Sequence, residues 1–235
     1  MSTDSVASHP WRKIRSFVLR PGRLTKAQEA ALSLLLPEYS FNPQVQPSAD
    51  RIVLEIGFGN GQALAHMAKT DPASHIIGVE VHPPGVGRLL NALHTQQITN
   101  VSIAMQDAVE LLEHDIPNAY LDEVRIYFPD PWPKKKHHKR RIIQSEFVQL
   151  MHQRLKLGGR LHLATDWMPY AEWMQEVVSA HGGFEYQPSA THQRPETHFQ
   201  RRGERRGHSI VDLIYVRTEA PKGSNADGCS ELEVS

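Results

Sequence analysis

The chain has 235 residues, a length that suits one α/β domain with extensions better than two domains. Its 26 lysines and arginines match its 26 aspartates and glutamates, so bulk charge announces no polyanionic partner and the distribution of charge matters more. One cysteine, Cys229, leaves no intrachain disulfide, cysteine-based zinc site or CxxC redox pair, and no run approaches the roughly 18 apolar residues of a membrane span.

Residues 1–50 read as a basic arm. Six lysines and arginines and no acid lie between Arg12 and Lys26. A short helix is predicted over Arg23–Leu36 with Thr25 as N-cap, and Pro37, Pro43 and Pro47 are expected to break regular structure after it. From Arg51 strand and helix patterns alternate. Strands are predicted at Arg51–Ile56, Ile76–Glu80, Val101–Met105, Leu121–Phe128 and Arg160–Thr165, and two late ones at Phe184–Gln187 and Ile210–Arg217. Helices are predicted at Gln62–Lys69, Gly85–His94, Ala108–Glu113, Gln144–Leu155 (closed by Gly158-Gly159) and Tyr170–His181. The expectation is a doubly wound, mainly parallel Rossmann-like sheet over residues 51–217, followed by a disordered tail, 218–235. The N-terminus lacks the apolar stretch of a signal peptide, so a soluble, cytoplasmic protein is expected.

Such sheets bind ligands beyond the carboxyl ends of their strands. Acids gather there: Glu55, Glu80, Asp107, Asp130 and Asp166. Gly57, Gly59 and Gly61 follow Glu55 and open a helix, where glycine lets the backbone turn and approach a ligand closely. A dinucleotide site is the first rival, with Glu80 on the ribose. The spacing is GxGxG rather than GxGxxG, however, and Glu55 would repel a pyrophosphate while accepting the cationic amino-acid end of S-adenosylmethionine. In that reading Glu80 takes both ribose hydroxyls and Asp107 the adenine amino group. Capping of the helices that follow is the plain alternative for Glu80, Asp107 and Asp166.

The fourth strand runs into Phe128-Pro129-Asp130-Pro131-Trp132-Pro133, where three prolines fix the backbone and remove amide donors. This resembles the (Asp/Asn/Ser)-Pro-Pro-(aromatic) loop of amine methyltransferases, but with Asp-Pro-Trp-Pro. A ring nitrogen such as guanine N7 has a lone pair and no proton to lose. Asp130 then orients the base and balances developing positive charge rather than acting as a base. The basic run Lys134 to Arg141 follows at once and points to phosphate contact rather than a solvated face. His137 and His138 are adjacent, not at ligand spacing, so no metal is expected.

Taken together, Arg15–Lys26 (RSFVLRPGRLTK), Leu54–Gly61 (LEIGFGNG), Gly78–Gly87 (GVEVHPPGVG), Phe128–Arg141, Ala164–Tyr170 (ATDWMPY) and Thr197–Gly203 resemble the bacterial tRNA (guanine-N(7)-)-methyltransferase family over about residues 14–217. The resemblance implies methylation of a variable-loop guanine, with S-adenosylmethionine as cofactor and S-adenosylhomocysteine as product. It implies cofactor contacts at Glu55, Glu80, Asp107 and Asp130, with Asp130 also catalytic. Lys134, Asp166, Thr197, His198, Phe199 and Gln200 would meet the substrate. Lys136, His137, His138, Lys139, Arg140 and Arg141 would meet RNA. Gln200 stands where the family pattern has glutamate, which puts a charge-dependent role there in doubt. Rival readings are methylation of another RNA atom or RNA class, and a non-catalytic RNA-binding protein with a vestigial pocket. No obligatory protein partner is evident.

Overall fold

The computed structural model describes residues 15–18, 22–188 and 209–219. Its strands are β1 (Arg51–Ile56), β2 (Ser74–Val79), β3 (Val101–Ala104), β4 (Leu121–Tyr127), β5 (Leu155–Thr165), β6 (Phe184–Tyr186) and β7 (Val211–Arg217). They form one sheet in the order β3-β2-β1-β4-β5-β7-β6. The first five strands pair in parallel, and β7 runs antiparallel to both β5 and β6. The helices are α1 (Lys26–Leu34), α2 (Leu36–Tyr39), α3 (Gln62–Thr70), α4 (Pro83–Gln96), α5 (Ala108–His114), α6 (Ser145–Arg154) and α7 (Met168–His181). None of the described helices is long and apolar enough to cross a membrane.

Alternation along β1 divides the interior in two. Ile52, Leu54 and Ile56 face the core under α5, α6 and α7, with Leu111, Met151 and Met174. Val53 faces the core under α3 and α4, with Leu64, Leu89 and Leu93. Both faces of the parallel sheet are therefore covered, as the doubly wound expectation requires.

Three expectations are corrected by local physics. The helix predicted over Arg23–Leu36 is two helices, with Thr25 and Gln28 forming a capping box at the start of α1. Pro37 lies in the first turn of α2, and Pro83-Pro84 and Pro169 likewise open α4 and α7. A proline in a first turn forfeits no helical hydrogen bond, so these residues begin helices rather than end them. Gly158-Gly159 does not close α6, which ends at Arg154. Leu155 already pairs with Leu121, and the register then shifts before Glu123 meets Arg160. Gly158 takes φ 79° in that irregular stretch, which suits glycine.

Part of the expected arm is packed. Ala31 and Tyr39 are buried in the α3–α4 core. The Tyr39 hydroxyl donates to the Ile98 carbonyl at 3.2 Å, and the Phe41 amide to Ile103 at 2.9 Å. Residues 26–41 are thus fastened to α4 and to the β3 edge.

Candidate active site

The loop after β1 is shaped by glycine. Gly57, Gly59 and Gly61 take φ of 75°, 60° and 72°, a region that side chains disfavour. The Gly57 amide donates to Val79 at 2.8 Å, and the Gly59 amide to Glu80 Oε2 at 2.9 Å. Glu80 Oε1 accepts the amides of Val81 at 2.8 Å and His82 at 3.1 Å. Glu80 therefore ties the β1 and β2 ends together. It does not cap α4, whose N-cap is His82. A Cβ on Gly85 would stand 2.1 Å from the Gly59 carbonyl oxygen, so α4 sits directly against the loop.

Glu55 is placed differently. Its side chain is buried, it does not line the cavity beside the loop, and Oε2 has no hydrogen-bond partner. Desolvation raises its pKa to about 7, partly countered by Arg125 and reinforced by Glu123. Glu123 is also buried, yet its pKa is lowered. Desolvation pushes upward there but is outweighed by the hydrogen bond and charge of Arg125, with Arg160 and Arg51 adding. Glu123 takes Arg51 at 2.7 Å and Arg125 at 2.9 Å.

A cavity of about 260 Å³ opens at the strand ends. Its wall includes Gly57, Gly59, Glu80, Asp107 and Asp130, all of them singled out from sequence. Gly61 is absent from the wall; it is the N-cap of α3, and a Cβ there would meet Leu89 at 2.6 Å. Asp107 both lines the cavity and caps α5, accepting the Val109 amide at 2.9 Å. Its pKa is raised, by desolvation first, with the Val109 bond opposing.

Ser16 and Phe17 complete the wall, which the sequence pattern does not announce. They belong to a strap, Arg15–Val18, held at two points. Trp132 Nε1 donates to the Ser16 carbonyl at 3.1 Å. His82 Nε2 lies 3.1 Å from the Val18 carbonyl and its Nδ1 3.0 Å from Glu80. The available signal is a Phe-Val pair inside an otherwise basic segment.

Opposite the glycine loop, β4 ends in a constrained turn. Phe128 and Trp132 take φ of 51° and 45°, an uncommon conformation for bulky residues. They bracket Pro129-Asp130-Pro131, leaving Asp130 exposed on the cavity wall. The basic run continues as a 3₁₀ helix, Lys135–Arg140. Lys134, Lys136 and Lys139 are exposed, and His137, His138 and Arg140 are half-buried. Arg140 lies over the Trp132 ring at 5.1 Å, and His137 stacks on it at 5.8 Å. The His137 pKa is lowered, by desolvation first and then by Lys136, Arg140, Lys134 and Lys139. Arg141, expected to meet RNA, is instead buried at 3% exposure. Asp166 is half-buried and does not occupy the α7 N-cap, which is Trp167. Thr197, His198, Phe199 and Gln200 lie outside the described residues. No group of three or more His, Cys, Asp or Glu able to hold a metal occurs among the described residues.

Comparison with known proteins agrees with this architecture. The family described as "Putative methyltransferase" matches residues 49–213. A tRNA (guanine-N(7)-)-methyltransferase of Xanthomonas oryzae pv. oryzae is 50% identical over 220 residues, covering 88% of this chain and 87% of its own. One from Saccharophagus degradans is 46% identical over 222 residues, covering 88% and 96%. Among solved structures, the 16S rRNA methyltransferase KamB superposes with a TM-score of 0.53 at 15% identity over 87% of this chain and 98% of its own, a likeness of fold. The chain belongs to the bacterial tRNA (guanine-N(7)-)-methyltransferase family.

Proposed function

We infer that the protein transfers a methyl group from S-adenosylmethionine to N7 of a guanine in tRNA, as the names of its relatives state for them. The observation that carries this reading is one cavity with the glycine loop, Glu80 and Asp107 on its wall together with Asp130 of the proline loop. The cavity suits the cofactor. Gly57 lines it, and nothing lies within 4 Å of where a Gly57 Cβ would project. Glu80 and Asp107 offer acceptors for ribose hydroxyls and for an adenine amino group. When bound, the cofactor supplies an electrophilic methyl group on a sulfonium.

The chain's own residues then bind, orient and exclude water. The glycine loop brings backbone close to the methionine end. Phe17 and the strap cover the cavity from the N-terminal side. Asp130 holds the guanine by its N–H groups and stands near the positive charge that develops on the purine. No general base is required, because N7 presents a lone pair. Lys134, Asp166 and the Thr197–Gln200 stretch are assigned to the substrate, and the exposed cations Lys136 and Lys139, with Arg140, to phosphate. The variable loop is the assigned location of the guanine, and S-adenosylhomocysteine leaves as product. A cytoplasmic site of action and independence from any partner subunit belong to the same reading.

The test is direct. The protein is incubated with methyl-labelled cofactor and unmodified tRNA, and the labelled nucleoside is mapped. Label on N7 of a variable-loop guanine is expected. Label on another atom, or none, refutes the assignment.

A further inference from the structure

Within the run from Lys134 to Arg141, only Arg141 is buried, at 3% exposure. A buried cation normally pairs with a carboxylate, since removing it from water is expensive. No such pair occurs for Arg141 among the described residues; its partners are a carbonyl, an imidazole and two rings. Nε donates to the Pro131 carbonyl at 3.0 Å. Nη2 lies 3.2 Å from His138 Nε2. The guanidinium lies 4.8 Å from the Tyr170 ring centroid and 5.3 Å from that of Trp173. Trp173 is itself fixed, its Nε1 donating to the Ile143 carbonyl at 2.7 Å. The side chain thus runs from α7 to the proline loop.

The loop needs such a donor from outside. Pro129, Pro131 and Pro133 carry no N–H, so the segment cannot knit itself together through its own amides. Phe128 and Trp132 are also held at positive φ, a conformation that persists only when surroundings over-determine it. The carbonyl that Arg141 holds belongs to the residue immediately after Asp130.

We propose that Arg141 is a positioning residue for methyl transfer: clamped between Tyr170 and Trp173, it fixes the Pro131 carbonyl and so aims Asp130 at the acceptor. It does not contact RNA phosphate, unlike its exposed neighbours. This rests on the methyltransferase reading above, because it assigns Arg141 a part in that reaction.

The experiment compares Arg141→Met and Arg141→Lys with wild type. Methionine keeps much of the apolar stem and removes the charge together with the donor to the Pro131 carbonyl. Thermal unfolding, cofactor affinity, tRNA affinity over a range of salt, and the single-turnover rate at saturation are measured. For Arg141→Met the rate is expected to fall about a hundredfold, the scale of a 1 Å misplacement of a reacting group. Both affinities and the salt slope should stay as in wild type, and the loss of one buried hydrogen bond, about 1–3 kcal/mol, should leave the protein folded at the assay temperature. Arg141→Lys restores one donor and should recover roughly a tenth of the wild-type rate or more, which corresponds to about 1.4 kcal/mol of barrier or less.

Three outcomes overturn the proposal: a wild-type rate in Arg141→Met, a salt slope flattened by about 0.7–0.9, the signature of one phosphate no longer neutralised, or a rate loss that only follows lost stability. Failure of wild type itself to label tRNA would sink the functional reading instead.

Discussion

The glycine-loop side and the proline-loop side of the cavity, assigned above to cofactor and acceptor, are built on different principles. On the glycine-loop side the amides are all present, and one local carboxylate gathers most of them. Glu80 takes three amides from two strand ends, and Gly57 donates to Val79. Positive φ falls there on glycines. On the proline-loop side positive φ falls on Phe128 and Trp132, amides are missing at three prolines, and the side chains of Trp132 and Arg141 add their bonds to that of the Phe128 amide with Ala164. The first half is specified by local chain chemistry, the second by residues brought from α7 and the N-terminal strap. Damage to the first should therefore appear as lost binding, and damage to the second as lost rate.

The largest effect should come from Gly85→Ala. Its Cβ would meet the Gly59 carbonyl at 2.1 Å, and backbone must move on one side. Cofactor binding measured by calorimetry is expected to become undetectable, while the protein remains folded by circular dichroism. Retained affinity would show that the glycine loop is more compliant than the Glu80 bonds imply.

Asp130→Asn tests the other half. It keeps the size and one acceptor oxygen but removes the charge. Single-turnover rate is expected to fall on the order of a hundredfold, as when a placed electrostatic group is lost. Cofactor and tRNA affinities should change much less. If cofactor binding collapses with the rate, Asp130 belongs functionally to the cofactor half and the division fails.

Glu55 supplies a stability test on the cofactor side. Its folded pKa is about 7, above the ordinary carboxylate value of 4.5. The folded state therefore holds a proton that the unfolded chain has released between those values. The stability this carries is full below about pH 4.5 and is lost as pH rises through 7. In the cofactor-free protein, Glu55→Gln should remove that decline and stabilise by a few kcal/mol at most at pH 8. Denaturant midpoints from pH 5 to 8 measure it, and parallel wild-type and variant profiles would refute the role of desolvation.

The smallest effect is electrostatic. Replacing Lys135, Lys136 and Arg140 with alanine should flatten the log–log salt dependence of tRNA affinity by about 0.7–0.9 for each phosphate no longer neutralised. An unchanged slope would leave the 3₁₀ helix facing solvent.

The same division governs what is legible in the sequence. Arg51–Ile56 and the glycines after it are readable to the residue, because an apolar β-branched run and a GxGxG turn are local signals. Asp107 reads as cap or ligand contact, and the structure has it capping α5 while lining the cavity. The start of β5 is hidden because Gly158-Gly159 looks like a helix stop, whereas pairing of Leu155 with Leu121 depends on a strand distant in sequence. The inward turn of Arg141 is hidden for a related reason. Eight consecutive polar residues give no period, and the rings that receive it come from α7. The burial of Glu55 with Oε2 unpartnered is hidden as well, because the nearby Arg125 is hydrogen-bonded to Glu123, which lies on a different strand.

The strap over the cavity has a consequence for traffic. Ser16 and Phe17 are wall, and the carbonyls on either side of Phe17 are moored, that of Ser16 to Trp132 on one bank and that of Val18 to His82 on the other. That side of the cavity stays walled while both moorings hold. Each such hydrogen bond contributes about 1 kcal/mol net, so the wall is held by contacts weak enough to open often. One mooring belongs to the proline loop and the other to the residue that opens α4, so a short strap of chain joins the two sides of the cavity.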